Sequence, residues 1–106
     1  MTVFATAVAE AGGSERAREV LQLVLEADPN HPGANLALAE LWLALGSPSA
    51  LETASAHVNK AVEGDKWSAD ARLCRGLVRE RRGDAVGAAE EYNAAVSLEP
   101  GLLAAR

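Results

Sequence analysis

Residues 83–100, GDAVGAAEEYNAAVSLEP, repeat without a gap an earlier segment of the same chain, GGSERAREVLQLVLEADP at 12–29. Gly12 falls on Gly83, Ala17 on Ala88, Glu19 on Glu90 and Pro29 on Pro100, at a constant offset of 71 residues. A third copy starts between them at Gly46, 34 residues after Gly12 and 37 before Gly83, so the middle copy carries about three extra residues. A period of this length marks a chain in which one supersecondary unit recurs and stacks on its neighbours.

Each copy reads as two helices. Ala17, Val20, Leu21, Val24 and Leu25 form one apolar stripe at helical period, as do Leu51, Ala54, Val58, Ala61 and Val62, and then Ala88, Tyr92, Ala95 and Val96. Gly12, Gly46 and Gly83 suit the left-handed residue that ends a helix. Ser14 and Ser47 are expected N-caps, with Pro48 at a position where a missing N–H costs nothing. Asp28-Pro29 and Glu99-Pro100 close their helices, because proline disfavours helical geometry in the residue before it.

Paired helices at a 34-residue period, with glycine at the inner turn, small residues in mid-helix and proline at the end, resemble the tetratricopeptide repeat. The last copy carries the pattern through Gly76, Gly83-Asp84, Ala88, Tyr92, Ala95 and Pro100. The first matches through Phe4, Ala5, Val8, Gly12, Ala17, Leu21, Val24 and Pro29, and the middle one through Leu38, Ala39, Trp42, Gly46, Ala54, Val58 and Ala61. The middle copy departs where residues 47–49, SPS, look inserted at the inner turn, and where Lys66 replaces the closing proline. The resemblance covers nearly the whole chain. It implies an all-α fold, an α-solenoid of three antiparallel helix pairs, with repeats at about 1–31, 32–68 and 69–102. Residues 102–106 read as the start of a further helix, which suggests a domain cut from a longer protein or one whose open end meets a neighbour.

Composition agrees with helices. Of the 106 residues, 49% are apolar and only 4% aromatic, with Ala and Leu dominant, and both favour helix over sheet. No apolar run approaches the roughly 18–20 residues of a membrane span, and the N-terminal segment lacks a basic leader. Cys74 is the one cysteine, so an intrachain disulfide is excluded and a cytoplasmic location is the default. The Ala-, Arg- and Gly-rich, Lys-poor usage points to a GC-rich bacterial source. A formal net charge of −5 argues against wholesale wrapping of nucleic acid, which depends on Lys and Arg.

Catalytic groups are sparse, and neither an enzyme nor a cofactor is expected. His31 reads as a solvated turn residue, and His57 has no second ligand at a metal spacing. Cys74 sits between Arg72 and Arg75, which would lower a thiol pKa, yet it falls on the apolar side of its helix with Ala71 and Val78. A small core residue is the better reading. Trp42 and Tyr92 occupy core positions of the repeat, where they pack instead of stacking on bases.

The resemblance also implies a function. In the family, the first helices of each pair line a concave surface that holds a peptide. Here that surface would comprise Thr6 and Glu10, then Leu36, Glu40 and Leu43, then Asp70, Leu73, Leu77, Glu80 and Arg81. One branch of the family clamps a chaperone's C-terminal carboxylate with lysine and asparagine. Those positions fall here on Thr2, Thr6, Ala37, Asp70 and Cys74, none of which suits a carboxylate. A partner segment with apolar anchors and some basic residues fits the leucines and their acidic edge instead. An alternative occupant of Leu36 and Leu73 is simply the neighbouring helices.

Half the chain's ten Lys and Arg residues lie within RLCRGLVRERR, 72–82. At about 100° per residue, Arg72, Arg75, Arg79 and Arg82 share one side of the helix, and the first three replace residues that the family pattern has large and apolar. Three readings apply. The stripe is a solvated or salt-bridged end of the stack, with Glu90, Glu91 and Glu99 as partners. It is a docking surface for an acidic segment or for another copy of this chain, the alternative function being a self-association module that stacks through its end faces. Or it meets a phosphate-bearing partner such as nucleic acid, although no recognised nucleic-acid module accompanies it. Solvent cover is the reading preferred.

Overall fold

The computed structural model describes residues 14–99, and all regular structure within them is helical. The five helices are α1 (Ser14–Ala27), α2 (Pro32–Leu45), α3 (Pro48–Gly64), α4 (Ala69–Arg81) and α5 (Ala85–Leu98). Each packs against the next in sequence, and α2 also touches α4. The expected first helix of the first copy, with Gly12, Thr6 and Glu10, lies outside the described residues, as do Pro100 and the 102–106 tail.

Local chemistry sets the helix ends. Four helices begin on a side chain that accepts a backbone N–H three residues on. These are His31 Nδ1 from Ala34, Ser47 Oγ from Ala50, Ser68 Oγ from Ala71 and Asp84 Oδ1 from Gly87. Each satisfies an N–H that the helix itself leaves unpaired. His31 is therefore a cap and not a solvated turn residue, and Ser14 is the first residue of its helix. At the other end, Gly46 adopts φ +73 and its N–H reaches the Trp42 carbonyl, while Gly83 adopts φ +88. Only glycine enters that region at little cost.

The three extra residues of the middle copy do not enlarge its turn. Gly46 and Ser47 alone join α2 to α3, and α3 is 17 residues long against 14 for α5. The insertion is absorbed as almost one further helical turn, which leaves Leu51, Ala54, Val58, Ala61 and Val62 on one buried face. With Lys66 in place of the closing proline, α3 still ends at Gly64, and the Asp65 N–H bonds to the Ala61 carbonyl just as the Glu99 N–H bonds to the Ala95 carbonyl after α5.

The core of the described residues falls into three clusters. Leu21 of α1 meets Ala34, Ala37 and Leu38 of α2, with Val24 and Leu25 alongside. A larger cluster joins Leu36, Ala39 and Leu43 of α2 to the buried face of α3 and to Ala71, Cys74 and Val78 of α4. Ala69 and Leu73 of α4 meet Ala95 of α5, flanked by Tyr92 and Leu98. Trp42 belongs to the first two clusters at once, and the Arg18 guanidinium sits 4.9 Å from its ring centroid. Val20, expected in the α1 stripe, lies at its exposed edge.

One polar network is built into this packing. Asn35 is completely buried, its Nδ2 donating to the carbonyls of Pro29 and His31 at 3.2 and 3.1 Å. Those bonds turn its Oδ1 toward His57 Nδ1 at 3.0 Å, tying α2 to α3. Burial, followed by the nearby Lys60 charge, holds the His57 pKa below its ordinary value.

Candidate functional site: a hollow between two helices and a buried ion-pair cluster

α2 and α4 present facing edges, and between them lies a hollow of about 300 Å³. From α2 it takes Glu40, Leu43 and Ala44; from α4 it takes Asp70, Leu73, Cys74, Leu77 and Arg81. The α4 residues recur at spacings of three and four, so they form one helical face. Six residues expected to line a groove are thereby brought together, namely Glu40, Leu43, Asp70, Leu73, Leu77 and Arg81.

Within this set the side chains divide into floor and rim. Leu43 and Leu73 are each 8% exposed and form the floor, whereas Leu77, at 36%, stands open. Asp70 is an exposed rim residue, Glu40 is half-buried, and Arg81 reaches across to donate from Nη1 to the Leu43 carbonyl at 3.4 Å. Leu36 is elsewhere. It is a core residue beside a smaller hollow of about 90 Å³ that includes Pro32, Gly33 and Ala61. Glu80 does not line the hollow either, because its carboxylate accepts the Tyr92 hydroxyl. Burial, then that bond and the Glu80 charge, raise the Tyr92 pKa to about 12.

Cys74 is buried in the hollow's wall, and burial, reinforced by the Glu40 carboxylate, pushes its thiol pKa up to about 12. A protonated thiol is a poor nucleophile and a poor metal ligand. The flanking arginines do not activate it, because their charge is directed to another partner.

That partner is Glu91. It lies on the inward face of α5 beside Ala88 and Ala95, and is only 4% exposed. Arg75 Nε meets Glu91 Oε2 at 2.7 Å, Arg79 Nη1 meets the same oxygen at 3.4 Å, and Arg72 Nη1 meets Oε1 at 3.5 Å. Arg75 also donates from Nη1 to Asn59 Oδ1 of α3 at 3.3 Å. A buried carboxylate without partners would cost several kcal/mol, so charge and hydrogen bonds must accompany it inward. The long arginine stems fill the volume that apolar side chains would otherwise occupy.

Three arginines of the expected stripe are thus salt-bridged to α5, Arg72 and Arg75 mostly covered and Arg79 still 37% exposed. Of the three acids considered as partners, Glu91 is the one engaged, while Glu90 and Glu99 are exposed. Arg82 stands apart from the cluster and is exposed. Sequence reasoning missed how deeply Glu91 is buried, although an acid one turn from Ala88 and Ala95 was a visible signal. It also missed the Asn35–His57 bond, whose trace is a lone amide inside the apolar run ANLALAELWLAL.

Among the described residues, no group of three or more His, Cys, Asp or Glu side chains could hold a metal ion, and no helix is long and apolar enough to cross a membrane. No protein-family model matches the chain, and no curated protein matches its sequence.

Proposed function

We propose that this chain is a non-enzymatic interaction scaffold, an α-solenoid of the tetratricopeptide type that holds a peptide segment against α2 and α4. The α2–α4 hollow is the observation that carries this reading, since helices one unit apart in the repeat converge on it. Its leucines offer apolar contact, and Glu40 and Asp70 favour a ligand with Lys or Arg beside its apolar anchors. Binding through such a surface requires no cofactor, and an adaptor within a larger cytoplasmic assembly is the role that follows.

The test uses short synthetic peptides that combine leucine anchors with lysine, set against peptides in which glutamate replaces the lysine. The basic series binds the intact protein and the acidic series does not, measured by fluorescence polarisation. Leu77→Glu removes the binding, because Leu77 is the leucine of the hollow that reaches solvent. Leu36 and Leu73 serve poorly as probes, being core residues whose loss would disturb the fold. Equal binding of both series, or full binding by a folded Leu77→Glu variant, rejects the proposal.

A further inference from the structure

On a different side of α4 lies a larger cleft of about 430 Å³, enclosed by α3, α4 and the start of α5. Its lining is rich in hydrogen-bond donors. Arg75, Arg79 and Arg82 descend one side of α4, and Ser55 and Asn59 face them from α3. Val78, fully buried, is the one apolar contributor. Asp84 is the sole acid of the lining, and its carboxylate accepts the Gly87 N–H at the start of α5. Asn59 Oδ1 accepts from Arg75, which leaves the Asn59 amide nitrogen as a donor.

Charge is unbalanced here. Arg72, Arg75, Arg79 and Arg82 stand against two carboxylates, Glu91 and Asp84, leaving an excess of two positive charges. Three guanidiniums, two of them from the lining, share the single Glu91 carboxylate. Arg82, at the mouth, pairs with no carboxylate among the described residues. Glu91 therefore does not exhaust the cluster's capacity to bind anions.

We infer that this cleft is a binding site for a dianionic oxyanion of the phosphate type. Asn59, Arg79 and Arg82 would contact the oxygens, and Arg75 would be held in place by Glu91. Arginine forks match phosphate geometry, and the bonds are charge-assisted on both sides. The site is separate from the α2–α4 hollow, so it stands or falls independently of the peptide-binding proposal.

Inorganic phosphate is the probe, titrated into the intact chain at constant ionic strength with chloride as the balancing anion. Saturable shifts of the Asn59 side-chain amide signals are expected, with a rise in melting temperature beyond that of chloride alone. Arg82→Gln weakens binding by about tenfold, the loss of one charge-assisted contact. Since Arg82 is exposed and outside the Glu91 cluster, this variant keeps the parent melting temperature in phosphate-free buffer. Leu77→Glu leaves phosphate binding unchanged. A phosphoserine peptide binding much more tightly than phosphate identifies the source as a modified protein segment, whereas equal affinity identifies a free anion. If phosphate acts no differently from chloride, or Arg82→Gln binds like the parent, the inference is wrong.

Discussion

Cys74 shows how context outweighs sequence neighbours. Two adjacent arginines would favour a thiolate, yet helical geometry turns them toward Glu91 and turns the sulfur into the core. With a pKa of about 12 the thiolate is scarce at pH 8, and burial blocks the approach of a reagent as well. Native Cys74 is expected to react with a disulfide reagent about 1,000-fold more slowly than a free thiol, recovering the free-thiol rate in urea. Labelling at the free-thiol rate in native buffer would mean that the hollow opens readily. The same shift has a consequence for stability. The unfolded thiol loses its proton near pH 9, whereas the folded one keeps it to about 12, so this contribution is present below pH 9 and is lost as pH rises between those values. Tyr92 acts in the same direction above pH 10.

At the level of elements, periodicity was a good guide to helices and a poor one to contacts. The stripes through Ala17 and Leu21, through Leu51 to Val62, and through Ala88 and Ala95 all point inward, because a 3.6-residue period leaves a helix few ways to bury its apolar side. The partners of the arginines were not legible to the same degree. They depend on which residues of α4 and α5 face each other, and a pairwise distance is not encoded in either stripe alone. Gly76 is where that facing is decided. A Cβ built there would lie 2.6 Å from Tyr92 Cε1, so the glycine allows the ring to rest against α4. Gly76→Ala should destabilise the protein by about 1–3 kcal/mol through this overlap, despite alanine's better helix propensity. In a Tyr92→Ala background the overlap with the ring is gone, leaving only a 3.3 Å approach to Glu91 Cβ, and the same substitution should stabilise by up to about 1 kcal/mol. Urea midpoints of the four proteins in this cycle give both signs. Equal effects in the two backgrounds would show that Tyr92 is not what the glycine accommodates.

For the whole molecule, the uneven distribution of apolar contact matters most. α2, α3 and α4 share the largest cluster, whereas α5 contributes Ala88 and Ala95 as its fully buried apolar side chains and packs chiefly on α4. Small alanines give little hydrophobic gain, and with Tyr92 and Leu98 only partly buried beside them, breaking the Glu91 cluster bears directly on the docking of α5. Removing one partner of a buried ionic cluster costs about 3 kcal/mol, because the remaining charges stay buried without compensation. In Glu91→Ala those charges are Arg72 and Arg75, with Arg79 at the edge, and the molecule can relieve them by releasing α5 alone. The expected result is therefore local. Amide hydrogen exchange in α5 should accelerate by about 100-fold, while the α3 amides from Ala54 to Val62 keep most of their protection. If α3 and α5 instead lost protection equally, the stack would be opening as one cooperative unit. Arg72, Arg75 and Arg79 would then stabilise all five described helices and not only α5.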